Sequence, residues 1–327
     1  MLAATVTNID TAGRNRNRIL PEGKPIVTKL HRVLTAVDYS KPARAAFDHA
    51  VALSRLHDAE LTVVHAVPGD RRFGWDARAR IALIGQLRAA AQKAGVPLKV
   101  SVQHGDPAGV ILLHARARRP DLIVLGTRER SALDRFRFGS VAETVALGAT
   151  QPVLVVPATS GIAADPVTPF KNILVAVDFG EGSNDAVARA LSMANGTSRV
   201  TVVHVLPGVP PERASRYMYY LMEPEYQRQL ARDAWNRIPA IIPADATTSH
   251  RVHARVVTGD TVAAISRVAE ETDADLILMA VKGRSAVRRL VFGSTTARVM
   301  RTAGRPVLAV PQRVAPGPDG ARLAAAA

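Results

Sequence analysis

The chain of 327 residues contains no cysteine, which excludes disulfides, iron–sulfur clusters and thiolate zinc sites. It also lacks any stretch near the roughly 18 apolar residues of a membrane span, and its first residues lack the apolar core of a secretory signal. Acidic residues are outnumbered, 28 against 43 basic ones, giving a formal net charge of +15. We therefore expect a cytoplasmic protein that does not enter the membrane. The basic excess fits either anionic partners or arginine used as a general surface residue.

Five segments of the first half recur in the same order in the second half, which identifies a tandem repeat. The paired segments are 31–38 with 171–178, 61–65 with 200–204, 121–126 with 275–280, 138–140 with 292–294, and 152–157 with 306–311. The spacing between the paired segments shows that the second copy carries an insertion of about 15 residues between His204 and Val252.

Each copy alternates short β-branched runs with stretches of helical periodicity. Continuous apolar runs separated by helices are typical of buried parallel strands with crossover connections. We therefore predict two α/β domains, each with a five-stranded parallel sheet, at residues 30–158 and 170–313. Residues 1–29 lack clear periodicity and are expected to form a flexible extension; residues 159–169 form a linker and residues 314–327 a disordered tail.

An aspartate closes the first strand of each copy, at Asp38 and Asp178. Ligands of open parallel sheets bind beyond the carboxyl ends of the strands, where such a carboxylate can accept hydrogen bonds from a ribose or a base. The alternative is that each aspartate only caps the next helix.

The loop after the fourth strand ends in a Gly-Ser pair that opens a helix, Gly139-Ser140 in one copy and Gly293-Ser294 in the other. A helix start offers free amides and a positive dipole end, which suit a phosphate. A Gly-Ser cap without a ligand is the alternative. Arg128 and Lys282 add cations to these loops.

The aspartate and the glycine loop together resemble the universal stress protein family, whose nucleotide-binding members have Gly-x2-Gly-x9-Gly-(Ser/Thr). The resemblance spans both copies. It implies the strand order 3-2-1-4-5, a fold like that of the adenine-nucleotide alpha hydrolases, pairing of the two domains through their last strands as a pseudo-dimer, and ATP, with or without Mg²⁺, as the ligand. Homodimerisation and an unidentified protein partner are further expectations.

The resemblance carries over a set of nucleotide-binding positions. In the first copy they are Val37, Asp38, Ala66, Leu125, Gly126, Arg128, Gly139, Ser140, Val141 and Ala142; in the second they are Val177, Asp178, Val205, Met279, Ala280, Lys282, Gly283, Gly293, Ser294, Thr295 and Thr296.

Both loops depart from the family pattern. Glu129 replaces the second glycine in the first copy, and Ala280 replaces the first glycine in the second copy. A carboxylate near phosphates costs more than a methyl group, so the second site is expected to be the better one.

No P-loop or metal cluster is present, and no general base beyond Asp178 is evident, so any ATP hydrolysis should be slow. His65 and His204 are interpreted as packed residues at strand ends. A scaffold whose nucleotide sites have decayed and a basic protein that associates with nucleic acid are the competing hypotheses. The insertion is rich in aromatic residues between Tyr217 and Trp235 and predicts a longer amphipathic helix over the sheet, or else a partner surface.

Overall fold

The computed structural model describes residues 5–9, 15–19, 29–67, 77–127, 139–158, 160, 170–194, 197–208, 224–243, 251–281 and 294–311. The first half contains β3 (Arg32–Ala36), α1 (Lys41–His57), β4 (Glu60–Val67), α2 (Ala77–Lys93), β5 (Leu98–His104), α3 (Pro107–Arg118), β6 (Leu122–Gly126), α4 (Ser140–Gly148) and β7 (Val153–Val156). It is preceded by β1 (Thr5–Ile9) and β2 (Asn15–Ile19).

The second half repeats this order of elements. It contains β8 (Asn172–Val177), α5 (Gly182–Met193), β9 (Arg199–Pro207), α6 (Pro224–Ile241), β10 (Arg251–Gly259), α7 (Thr261–Glu271), β11 (Leu276–Val281), α8 (Ser294–Thr302) and β12 (Val307–Pro311).

All twelve strands form one sheet in the order β2-β1-β10-β9-β8-β11-β12-β7-β6-β3-β4-β5. Within each half the order is 3-2-1-4-5 and the strands run parallel, as predicted. The halves meet where β12 pairs antiparallel with β7. The pairing through the last strands is thereby confirmed.

Two helical layers cover the sheet. One apolar cluster packs α1, α2, α5 and α6 on one face, and the other packs α3, α4, α7 and α8 on the opposite face. The strands are buried on both sides, as in β6, where Leu122, Ile123 and Val124 are all fully buried. This double burial explains why the strands appear as continuous apolar runs rather than as alternating patterns.

The aspartate before the fourth strand fastens that strand to the first one. Asp121 accepts hydrogen bonds from the amides of His31 and Arg32 at 2.7 and 2.9 Å. Asp275 does the same for Lys171 and Asn172. Burial raises the pKa of Asp275, and the backbone donors oppose that rise.

The amino-terminal segment differs from its prediction. Instead of lacking regular structure, residues 5–9 form β1, which pairs parallel with β10, and residues 15–19 form β2, which pairs antiparallel with β1. These strands pair on the edge of an existing sheet, so they form without the apolar periodicity on which the sequence argument relied. The linker, apart from Ser160, and the tail at 314–327 lie outside the described residues.

Candidate functional site

The residues proposed for the base and ribose converge at the carboxyl edge of each half-sheet. In the first half this edge holds the ends of β3, β4 and β6, with Val37 and Leu125 buried, Ala66 and Gly126 half-buried, and Asp38 exposed. The second half repeats the arrangement: Val177 and Met279 are buried, Val205 and Ala280 are half-buried, and Asp178 is exposed. Each edge is therefore an apolar surface bordered by one exposed carboxylate.

Each aspartate uses one carboxylate oxygen locally. Asp38 Oδ1 accepts from the amide of Ser40 at 2.8 Å, while Ser40 is the residue that caps α1 by accepting from the amide of Ala43. Asp178 Oδ1 accepts from the amide of Gly180 at 2.8 Å and from the Ser183 hydroxyl at 3.3 Å. Neither aspartate is the helix cap itself. Each Oδ2 has no hydrogen-bond partner among the described residues.

The start of α4 is an uncapped helix end. Gly139 occupies the N-cap position with extended backbone and no side-chain cap, whereas α1, α3 and α7 are capped by Ser40, Asp106 and Asp260. The amides of Ser140, Val141 and Ala142 belong to the first turn and have no intrahelical acceptor. No described residue accepts from these three amides, which lie with the positive dipole end of α4 at this edge.

The start of α8 is described less completely. Thr295 is half-buried and Thr296 is buried on the first turn, while only the backbone of Ser294 is described. Arg128, Lys282, Gly283 and Gly293 lie outside the described residues, as does Glu129. The ranking of the two sites by their loops therefore stays a prediction.

The two strand-end histidines form hydrogen bonds to the backbone beside the candidate site. His65 Nδ1 donates to the carbonyl of Val37 at 2.9 Å, and His204 Nδ1 donates to the carbonyl of Val177 at 2.9 Å. They tie the second strand to the end of the first in each half, which bears out their interpretation as packed residues. In the part of the chain that the structure describes, no group of three or more acidic or histidine side chains could hold a metal ion.

The residue after each aspartate is aromatic, and it contacts the strand-end histidine of its own half. This contact was not predicted from the sequence. Tyr39 meets His65 edge-on at 5.7 Å between ring centroids and is 45% exposed. Phe179, with φ of 57°, stacks on His204 at 4.4 Å. The sequence could have indicated this contact, because an aromatic residue and a histidine recur at matching positions of the two copies.

A cation from α6 lies at this edge of the second half. Arg237 of α6 lies over the Phe179 ring at 4.4 Å, within reach of a cation–π interaction, and its Nη2 lies 3.5 Å from the Phe179 carbonyl. Burial lowers the pKa of His204, and Arg237 lowers it further. Phe179 is thus held between His204 and Arg237, while Tyr39 remains largely exposed.

Gly126 and Ala280 occupy equivalent positions with different surroundings. A Cβ on Gly126 would lie 2.4 Å from the backbone carbon and oxygen of Pro42 at the start of α1. The glycine is therefore required by helix packing within the first half. In the second half Ala280 packs against the apolar core, so the methyl group is accommodated.

α6 covers the sheet, as one of the two interpretations predicted, but it is the counterpart of α2 and is only one residue longer, 18 against 17. The additional residues of the second copy fall mainly in 209–223 and 244–250, which lie outside the described residues. α6 begins at Pro224, buries Ala234 and Ile238 against the core, and leaves Tyr226 41% exposed. Tyr217, Tyr219 and Tyr220 lie outside the described residues. None of the helices described is long and apolar enough to cross a membrane.

Comparisons with known proteins all point to one protein family. The model of the universal stress protein family matches residues 29–157 and 169–311. A universal stress protein of Methanocaldococcus jannaschii is 30% identical over 152 residues, covering 43% of this chain and 88% of that protein. One of Thermus aquaticus is 36% identical over 132 residues, covering 38% of this chain and 96% of that protein.

Solved structures extend the similarity of fold to both halves. A universal stress protein of Archaeoglobus fulgidus superimposes with a TM-score of 0.64 at 19% identity, covering 86% of this chain and 98% of that one. A functionally unknown protein of Pseudomonas aeruginosa gives a TM-score of 0.58 at 18% identity, covering 86% and 93%.

Proposed function

The chain belongs to the universal stress protein family, and we propose that it binds an adenine nucleotide, ATP, at the carboxyl edge of its sheet. The observation that carries the proposal is the uncapped start of α4, whose first-turn amides lie at the same sheet edge as the exposed carboxylate of Asp38. Donors for phosphate and an acceptor for ribose hydroxyls are what a nucleotide needs.

The roles of the residues follow from their exposure and chemistry. Val37, Ala66 and Leu125 offer an apolar surface to the base. The free Oδ2 of Asp38 accepts from the ribose, and the α4 amides with the Ser140 hydroxyl hold the phosphates, with Mg²⁺ where it accompanies the nucleotide. Val177, Asp178, Val205 and Met279 repeat the first part of this set in the second half. The function is binding, with at most slow hydrolysis.

We further propose that the second site is the stronger one. By its place in the loop pattern, Glu129 would bring a carboxylate towards the phosphates of a nucleotide in the first site, and like unit charges ~4 Å apart repel by about 4 kcal/mol at an effective dielectric of 20. A third of that energy corresponds to about a tenfold change in affinity, because 1.4 kcal/mol is tenfold. Ala280 costs little by comparison, because the second half already accommodates its methyl group.

Titration calorimetry with ATP on the full chain tests both statements. We expect Gly293→Asp to weaken binding by tenfold or more and Gly139→Asp to have the smaller effect. Equal losses, or a loss from Gly139→Asp alone, contradict the ranking. Mass spectrometry of small molecules released from denatured protein checks the identity of the ligand. If wild-type protein neither carries nor binds an adenine nucleotide, the competing hypothesis of a nucleotide-free scaffold is favoured.

Nucleic-acid association is a weaker candidate, supported by the net charge of +15. If it occurs, affinity depends on phosphate contacts and falls by orders of magnitude between roughly 50 and 200 mM salt. Filter binding at several salt concentrations measures the slope. Tight, sequence-dependent binding at high salt contradicts a purely electrostatic association.

A further inference from the structure

A groove of about 370 Å³ lies between α1 and α2 on the outer face of the first half. Phe47, Val51 and Ala52 of α1 form one wall, and Ala90 and Ala94 form the other. Phe47 and Ala52 are buried, so the apolar surface that a ligand would contact comes from Val51, Ala90 and Ala94, which are partly exposed. The volume of the groove lies within the range of pockets that bind small molecules.

The groove exists because α2 presents small side chains at this place. In the second half the corresponding helix α6 directs larger groups inwards: Ile238 is buried, and Trp235 packs against the core. Phe47 has Val187 as its repeat counterpart, so both walls differ between the halves.

The groove is separate from the nucleotide edge. α1 begins beside the carboxyl end of β3 and ends at His57, next to the start of β4. The lining residues come from the middle and end of α1 and from the end of α2, so they lie towards the amino ends of the strands. A molecule bound there leaves the Asp38 edge free.

Two charged residues border the apolar walls, and only one of them is available to a ligand. Both carboxylate oxygens of Asp48 accept from Arg44 Nε, at 3.0 and 3.2 Å. Arg55 is exposed, and its guanidinium has no hydrogen bond or ion pair with any residue that the structure describes. Within the described part of the chain, the border of the groove therefore carries one positive charge without a paired carboxylate.

From this combination we propose that the groove binds a small amphipathic carboxylate, an acid with one apolar chain or ring. The apolar part occupies the space between Val51 and Ala90, and the carboxylate pairs with the Arg55 guanidinium, which matches its planar geometry. The apolar walls disfavour small hydrophilic anions, and the free cation disfavours neutral apolar molecules.

Octanoate is a suitable probe, measured by titration calorimetry on the full chain, with 1-octanol and acetate as partial analogues. We expect octanoate to bind with one site per chain and both analogues to bind at least tenfold more weakly. Arg55→Gln should weaken octanoate binding about tenfold, because a neutral amide cannot form the charge-assisted pair with the carboxylate. The matched control Arg116→Gln, on α3 of the opposite face, should leave it unchanged.

A second variant separates the groove from the charge. Ala90→Trp fills the groove from α2 and should abolish octanoate binding while ATP binding, measured on the same sample, persists. Retained ATP affinity or an unchanged thermal unfolding transition establishes that this variant is folded. No octanoate binding by wild type, equal binding of octanol, or unchanged binding in both Ala90→Trp and Arg55→Gln overturns the proposal. None of these outcomes depends on the nucleotide site.

Discussion

Replacing Gly126 by alanine is expected to destabilise the first half by about 2 kcal/mol. The added Cβ would lie 2.4 Å from the Pro42 carbonyl carbon and oxygen and 2.7 Å from the Ala43 amide nitrogen. These are backbone atoms, so no side chain can rotate away. β6 is held between β3 and β7, so relief requires α1 to move from the sheet.

The magnitude follows from two opposing contributions. Overpacking a well-packed site costs about 1–3 kcal/mol, and the rigid backbone obstacle places this site at the upper end, about 3 kcal/mol. Alanine recovers about 0.5–1 kcal/mol through the lower conformational entropy of the unfolded chain. The net loss therefore lies near 2 kcal/mol.

Ala280→Gly is the matched control, because it makes the reverse change at the equivalent position. It removes only a methyl group and should cost about 1 kcal/mol. Equilibrium urea unfolding, followed by circular dichroism and by the fluorescence of Trp75 and Trp235, one in each half, measures both variants. A Gly126→Ala protein within about 0.5 kcal/mol of wild type would refute the packing argument.

Two further predictions concern the contacts between the halves and stability towards acid. Burial, together with the charges of Arg189 and Lys29, lowers the pKa of His57 to about 4. The neutral form therefore stabilises the fold above pH ~6.5. This stability, up to roughly 3 kcal/mol, is lost as the pH falls towards 4. The free energy of unfolding, measured by denaturation from pH 7.5 to 4, should fall less steeply in His57→Asn than in wild type. Asparagine keeps an acceptor for the Leu30 amide. The same pH dependence in both proteins would contradict the lowered pKa of His57. The ion pair between Arg301 and Glu143 joins the halves at 2.8 Å and is about one-third exposed, so a double-mutant cycle should give a coupling of about 0.5–1 kcal/mol. A coupling of zero would show that solvent screens the pair completely.

The repeat made the fold predictable from the sequence. Because each half alternates apolar runs with helices in the same order, five parallel strands in each half follow from the pattern, and the structure agrees. The strand order 3-2-1-4-5 was implied by the resemblance to the family, and the structure confirms it. The amino-terminal strands could not be predicted in this way. The polar run at Asn15–Ile19 has no apolar periodicity, and its strand depends on pairing with β1, which in turn depends on the edge of β10.

The place of the candidate site residues at the sheet edge was predictable, but not all of their contacts. Asp38 and Gly139 could be found from their place after strands. The stack of Arg237 on Phe179 could not, because Arg237 lies on α6 and reaches the edge only through the tertiary fold. The need for Gly126 was likewise hidden, since the sequence does not show how closely Pro42 approaches it.

Amide hydrogen exchange with and without saturating ATP tests the central claim most directly, because it observes the helix starts themselves. We expect ATP to slow exchange of the Ser140, Val141 and Ala142 amides, of the Thr295 and Thr296 amides, or of both sets. If both sets respond, the larger change should be in the second half. Binding of ATP that leaves exchange at both helix starts unaltered, or slows it only elsewhere on the chain, would contradict the proposed site.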